Sequence, residues 1–310
     1  MSRYKIILNP ASGHGDGGQK QPEIERSLRT LGLAFDLVRT QAPMHAVELA
    51  RQAVRDGYDF VVAAGGDGTS NEVLNGLIQA RQAGEGLACM GVLCVGRGND
   101  FAFSMGIPPG VAAGSQVLAQ GRRRTIDVGK VTGGLFPQGR YFGNGVGIGF
   151  DAVVGFEAKK ITGLTGFPSY VIAALRTIFL YFQAPLVKIE APGFNHTTPA
   201  LMVSVMNGIR LGGGFMMAPH GDPEDGIFDL CIARQVSRLR IFTLIPHFIR
   251  GTQASQEPIV MSQAKQVVIT AQQGVLPAHA DGETLATDAL RFTVEILPQQ
   301  LEILTQEKPG

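Results

Sequence analysis

Residues 61–77 read VVAAGGDGTSNEVLNGL: an apolar run, three glycines around one carboxylate, then a hydroxyl. Gly65, Gly66 and Gly68 allow a sharp turn and a close approach of backbone to a ligand. The N–H groups at the start of a following helix suit a phosphate. Asp67 does not favour an anion by itself. A carboxylate there fits Mg²⁺, or a bound water or hydroxyl, beside phosphates. Thr69 supplies a hydroxyl that caps the helix or bonds a phosphate oxygen. The same residues also fit a plain strand–helix turn with Asp67 or Thr69 as its cap.

A second acidic pair stands late in the chain, in ADGE at 280–283. Asp281 and Glu283 are two residues apart, so on a strand both face one side. A surface turn with two solvated acids fits the same letters. The six histidines show no metal-ligand spacing, and His45 falls at a helix start. Cys89, Cys94 and Cys231 form no CxxC and read as buried thiols in a reducing compartment. Gly13, Gly15 and Gly18 spell G-x-G-x-x-G after a strand, with Asp36 near a ribose-binding position, as in a dinucleotide oxidoreductase. Against that reading, Asn9-Pro10 precedes the glycines, QKQPE follows without an apolar helix face, and GGDGT, GRGND and DGE stay unexplained.

The elements around these residues change character along the chain. Over the first 120 residues short apolar strands (YKIIL, LAFDLVRT, DFVVAA, LACMGVLCV) alternate with helical patterns. That alternation predicts an α/β domain whose parallel sheet carries helices on both faces. GGDGT lies at the carboxyl end of the third strand, where such sheets bind ligands. Beyond Arg122-Arg123-Arg124 come β-like runs such as TIDVGKV, LVKIEA, IFDLCIA and LRFTVEIL, with helices near 152–161, 169–182 and 237–249. We expect domains at 1–124 and 125–310, the second β-rich and mostly antiparallel. The final run, LEILT, is able to pair in either.

Composition sets limits. Apolar residues make up 45% and charged residues 17%, enough for a sizeable core. A net charge of +1 argues against nucleic acid. MSRYKIILNP has too short an apolar part for a signal peptide. The longest apolar stretch, YVIAALRTIFLYFQAPL from Tyr170, is interrupted by Arg176 and falls short of a membrane span of about 20 residues.

The block GGDGTSNEVLNGL resembles the nucleotide-binding motif of the diacylglycerol kinase catalytic domain family, which includes bacterial lipid kinases and the sphingosine and ceramide kinases. The resemblance covers nearly the whole chain. Asn9-Pro10-Ala11-Ser12-Gly13 is similar to the family's NPxSG loop. Thr40 and His45-Ala46 match its threonine and HA pair. GRGNDFAFSMGIP from Gly96 matches the segment that usually reads GTGND. IDVGKV from Ile126, FGNGVGIGFDA from Phe142, DPEDGIFDL from Asp222 and the late DGE follow in order. One position departs: Arg97 stands where the family commonly has threonine. Arginine accepts no hydrogen bond but pairs bidentately with phosphate.

The resemblance implies an NAD kinase-like first domain, a β-rich second domain, and a kinase that moves the γ-phosphoryl of ATP to a lipid hydroxyl in the cleft between them. ATP would be held by Asn9, Pro10, Ser12, Gly13, Thr40, Gly65, Gly66, Asp67, Gly68, Thr69, Asn71 and Arg97. Asp67, Asp281 and Glu283 would be catalytic, with Glu283 favoured as the base. Backbone carbonyls of Asp222 and Ile227 and the Asp225 carboxylate would hold a Mg²⁺ away from the nucleotide; the residues alone also fit a simple turn. Asp100, Asp127, Asn144 and Asp151 fall in family blocks and serve structure as readily as catalysis, Asp100 as a cap of the FAFSM helix. Phe167, Tyr170, Ile172, Phe179, Tyr181 and Phe182 read as core or as an acyl-chain pocket, and Arg122–Arg124 as a solvated turn or a head-group contact. The expected protein is cytoplasmic and peripheral to the membrane, meeting a lipid substrate and no nucleic acid. An NAD kinase-like enzyme with a soluble acceptor and a non-catalytic nucleotide or lipid sensor are the alternatives.

Overall fold

Short β-branched and aliphatic runs, each ended by glycine or a polar turn, form the strands of the first unit. The structure, a computed structural model, describes residues 2–96, 98–120, 122–161, 167–180 and 184–306. β1 (Arg3–Leu8), β2 (Ala34–Arg39), β3 (Phe60–Gly65) and β4 (Cys89–Cys94) alternate with α1 (Gln21–Thr30), α2 (His45–Arg55), α3 (Asp67–Gln82), α4 (Asp100–Ser104) and α5 (Val111–Gln120). The strands pair in parallel, Leu8 opposite Ala64 and Gly65 opposite Cys94. β3 and β4 are buried along their whole length, as strands covered on both faces must be. Ile6, Leu8, Val62, Leu93 and Leu118 sit in the core. The three cysteines are free and buried, and burial pushes the Cys89 and Cys231 thiols up to about 12.

The chain divides into two compact units, Met1–Asp127 with Pro298–Gly310, and Val128–Leu297. The passage out lies inside β5 (Arg123–Gly133) and the return inside the last strand, β15 (Arg291–Leu304). In the first unit the end of β15 adds a parallel strand beside β4, Ile303 opposite Met90, so the order is β15-β4-β3-β1-β2.

The second unit is built from β6 (Phe136–Phe142), β7 (Gly145–Gly149), β8 (Leu186–Ala191), β9 (Phe194–Met206), β10 (Phe228–Arg234), β11 (Ile259–Ala264), β12 (Gln266–Gln273), β13 (Leu276–Ala280) and β14 (Glu283–Ala289). Its order is β14-β13-β7-β9-β8-β12-β15, with β10 between β9 and β11. These pairs are antiparallel, in agreement with the predicted class. The sequence reading passed over β11, β13 and β14. LPAHA holds a proline and one long aliphatic, and ETLATDA is mostly small or polar, so neither shows strand propensity. α6 (Phe150–Lys160), α7 (Phe167–Leu180) and α8 (Arg238–Arg250) share a second core with Leu201, Met202 and Phe215.

Candidate active site

Three loops leave the carboxyl ends of β1, β3 and β4, the ligand side of an open parallel sheet, and they are tied to one another. Asn9 Oδ1 accepts from Ala11 N at 3.0 Å while Asn9 Nδ2 donates to Thr69 Oγ1 at 3.0 Å. Ser12 Oγ donates to Asn9 O at 2.8 Å, and Pro10 O accepts from Gly18 N at 3.1 Å. Gly13 turns with φ +65. A Cβ on Gly17 would lie 2.3 Å from both Asn9 O and Ser12 Oγ, so this loop folds back tightly on itself. Thr40, half-buried after β2, donates its N–H to Leu8 O at 2.9 Å.

Gly65 closes β3, Gly66 is the extended N-cap, and Asp67, Gly68 and Thr69 form the first turn of α3. A Cβ on Gly65 would sit 2.3 Å from Thr69 Oγ1, and one on Gly96 would sit 2.4 Å from Gly66 Cα. The glycines therefore let a side chain fold inward and two loop backbones touch. The N-cap of α3 is Gly66, which has no side chain to offer the first turn. Thr69 turns toward Asn9, and Asp67 reaches the next helix, its Oδ1 accepting from Phe101 N at 2.9 Å. That bond belongs to Asp67 where Asp100, the first residue of α4, was expected to cap. The bare Cα of Gly98 leaves room beside Asp67 Oδ2, 2.7 Å from where a Cβ would stand. Asn71 is buried, and its Oδ1 accepts from Asn75 Nδ2 at 3.2 Å. Asp127 is buried and accepts from Gln299 N at 2.8 Å. Arg97 lies outside the described residues.

Glu72, in the NEVLNGL run, had no role in the sequence reading. Its carboxylate accepts from Met44 N at 2.9 Å and Ala46 N at 3.0 Å, which fixes the start of α2. The backbone turns there through Met44 at φ +68.

In the second unit the acidic pair divides. Asp281 and Gly282 have φ +46 and +81 and form the two-residue turn between β13 and β14. The expectation that Asp281 and Glu283 share one strand face is therefore wrong. Asp-Gly is the dipeptide of a type I′ hairpin, with both central residues at positive φ. Asp281 is 3% exposed. Its carboxylate accepts from Gly143 N at 2.8 Å, Asn144 N at 3.0 Å and Gly145 N at 2.9 Å. It anchors the GNG backbone. Asn144 extends this anchor to Arg210 O at 2.8 Å, and Asn207 Nδ2 donates to Gly143 O at 2.8 Å. Glu283 opens β14 half-buried, and its carboxylate has no hydrogen bond or ion pair among the described residues.

Beside this hairpin, Asp151 Oδ1 accepts from Ala152 N at 2.9 Å and Oδ2 from Ser204 Oγ at 3.3 Å, with His279 Nε2 3.9 Å away. A Cβ on Gly147 would lie 2.1 Å from Asp151 Oδ2, so the glycine admits the carboxylate. Burial pushes the Asp151 carboxyl up to about 7. Among the described residues, Asp151 is the one charged residue lining an apolar pocket of about 70 Å³. Val154 on α6, Ala174 on α7, Met202 on β9 and Leu244 and Phe248 on α8 are among its walls. Phe167 and Tyr170 pack in the adjoining core, and Ile172 is exposed. Tyr181, Phe182 and the side chain of Phe179 lie outside the described residues. Arg123 pairs with Glu302 at 3.1 Å and covers the Phe60 ring, and so is engaged within its own unit.

The DPEDGIF segment is a turn. Asp225 Oδ1 accepts from Ile227 N at 3.0 Å, Asp222 O from Asp225 N at 3.4 Å, and Gly226 has φ +73. Among the described residues no three His, Cys, Asp or Glu side chains gather to hold a metal. The turn offers the exposed carboxylates of Glu224 and Asp225, the half-buried one of Asp222 and backbone carbonyls, an oxygen-only set that fits a hard, largely hydrated cation. Among the described residues no helix is long and apolar enough to cross a membrane.

Comparison with known proteins covers both units. Residues 3–131 match the diacylglycerol kinase catalytic domain, and residues 144–305 match the YegS C-terminal NAD kinase beta sandwich-like domain. The chain is 31% identical over 294 residues to a probable lipid kinase YegS-like of Pseudomonas aeruginosa, covering 95% of this chain and 92% of that one. It is 27% identical over 288 residues to a diacylglycerol kinase of Bacillus subtilis, covering 91% and 90%. A crystal structure of a diacylglycerol kinase from Bacillus anthracis shares its fold, with TM-score 0.73 and 20% identity over 99% of this chain and 97% of that one.

Proposed function

The chain belongs to the diacylglycerol kinase catalytic domain family, and from that premise we propose an ATP- and Mg²⁺-dependent enzyme that phosphorylates a lipid hydroxyl. The observation that carries the lipid half of this reading is the apolar pocket walled by α6, α7, α8 and β9. It suits an acyl chain better than a nucleoside acceptor, because a wall with one carboxylate offers few partners to a polar molecule. The names of the relatives favour a diacylglycerol-like acceptor, while monoacylglycerol, phosphatidylglycerol and sphingoid bases offer the same primary hydroxyl.

In the proposed reaction a bond forms between the acceptor oxygen and the γ-phosphorus. The bond from that phosphorus to the β–γ bridging oxygen breaks, and ADP leaves. The acceptor proton passes to the Glu283 carboxylate, which is committed to no other group among the described residues. Asp281 is assigned a positioning role, holding the turn that presents Glu283. Asn9, Pro10, Ser12, Gly13 and Thr40 on one side, and Gly65 to Asn71 on the other, are assigned to the nucleotide. There the start of α3 favours phosphate. Bound Mg²⁺ would neutralise phosphate charge, with Asp67 beside the space left by Gly98 as its carboxylate. A further Mg²⁺ is assigned to Asp222 O, Ile227 O and the Asp225 carboxylate, as a structural ion. ATP is a cytoplasmic donor, so the enzyme is assigned to the cytoplasmic face of a membrane.

The test is incubation with Mg²⁺, γ-labelled ATP and a panel of these four lipids in mixed micelles, following label into the organic phase. Label is expected in one lipid class. Glu283→Gln is expected to lower turnover by about 10²–10⁴-fold with thermal stability retained, whereas Asp281→Asn is expected to lower thermal stability. Label only in a soluble acceptor such as NAD, or full turnover by Glu283→Gln, would overturn the reading.

A further inference from the structure

α8 has two faces. Ile241, Leu244, Ile245 and Phe248 point inward and line the apolar pocket. Leu239, Thr243, Pro246 and Arg250 follow one outward line at spacings of four, three and four, all exposed. Leu239 on this line is 78% exposed, and Ile249, at its flank one turn after Ile245, is 39% exposed, unusual for aliphatic side chains on a helix so well buried inside. Arginines flank them. Arg238, Arg240 and Arg250 are exposed, and neither α8 nor the neighbouring α7, with its exposed Arg176, carries an acidic residue. Arg240 is bonded to neutral groups, Thr243 Oγ1 at 3.1 Å and Gln256 Oε1 at 3.0 Å, so its charge is not cancelled there.

From this we infer that the outer face of α8 is the surface by which the protein docks on an anionic lipid bilayer. The chemistry is that of an interfacial helix: aliphatic side chains enter the acyl boundary and arginines meet lipid phosphates. Charge complementarity selects the bilayer over a second copy of this chain, since two such faces would bring arginines together. The placement has a purpose if the substrate is a membrane lipid, and to that extent it rests on the reading above. A docked α8 has bilayer on one side and the apolar pocket on the other.

The experiment is flotation of the full chain with phosphatidylcholine vesicles, with and without 30 mol % phosphatidylglycerol. Thermal stability and phosphorylation of detergent-dispersed lipid are measured alongside. The protein is expected to partition to the anionic vesicles, less so at high salt. Arg240→Gln with Arg250→Gln is expected to weaken partitioning on the order of thirtyfold, from about fivefold per arginine. Leu239→Glu with Ile249→Gln is expected to weaken it at least as much, with thermal stability and micellar activity kept. Variants that float like the parent would overturn the inference. So would a Leu239→Glu variant that changes oligomeric state but not vesicle binding, which would make the face a self-interface. Micellar kinase activity without vesicle binding overturns the docking surface and leaves the kinase reading. Vesicle binding lost in the variants, with no phosphorylation by the parent, does the reverse.

Discussion

Asp151 is a carboxylate whose neighbours are a serine hydroxyl, a histidine ring and an apolar wall. Its ordinary value near 3.8 is raised to about 7 by burial. A carboxyl raised in the folded state favours its protonated form there. Its contribution is therefore most favourable below about pH 4 and is lost as pH climbs to 7. His279 at 3.9 Å and the Cys231 thiol are the titrating groups facing it. Asp151→Asn is expected to leave stability near that of the parent at pH 4 and to exceed it at pH 8 by up to about 4 kcal/mol. Chemical denaturation at the two pH values reads the difference, and an equal difference at both would contradict the assignment. At this scale the sequence shows which letters matter better than what they do. Asp281 and Glu283 stand out as a pair, yet their separation into an anchor and an uncommitted carboxylate depends on φ +46 at Asp281. The Asp-Gly dipeptide carries that signal, and reading the pair as strand residues hides it. Asp67 likewise reads as a ligand or a cap for its own helix, while the cap it makes is on α4, 34 residues on.

Elements explain why NEVLNGL is more than a helix that follows a loop. Glu72 holds the start of α2, Val73, Leu74 and Leu77 fill the core, and Gly76 lets the two helices approach. A Cβ on Gly76 would lie 2.4 Å from Val47 O and 2.8 Å from Ala50 Cβ. Gly76→Ala must push backbone apart and is expected to cost about 1–3 kcal/mol. Glu72→Ala, which strips two N–H groups of their acceptor, is expected to cost about 1–2 kcal/mol. Urea denaturation measures both, and a neutral Gly76→Ala would mean that α2 shifts freely on α3. The parallel α/β pattern is plain in the sequence because buried strands are continuous in Val, Ile and Ala and helices are amphipathic. The hairpin of β13 and β14 is not, because its strands are held by pairing and burial rather than by propensity.

On the scale of the whole molecule, the sequence reads a change of character at Arg122–Arg124 and leaves LEILT open between two partners. The compact units divide after Asp127, and the chain returns to the first at Pro298. Such a choice is invisible locally, since a strand of alternating Leu and Ile suits either sheet. In the first unit Ile303 pairs with Met90, Leu304 joins the core, and Thr305 Oγ1 donates to Met105 O at 2.5 Å. A chain ended after Leu297 is expected to lose the first unit's cooperative unfolding and nucleotide binding together, read by calorimetry and ATP titration; retention of both would show the strand to be dispensable. The same feature bears on synthesis. On the ribosome β1 to β4 emerge first, but their sheet lacks an edge until the last strand is made. At about 5–20 residues per second the wait is on the order of 10–40 s. During that interval the nascent first unit would expose the apolar edge of β4 to chaperones and proteases.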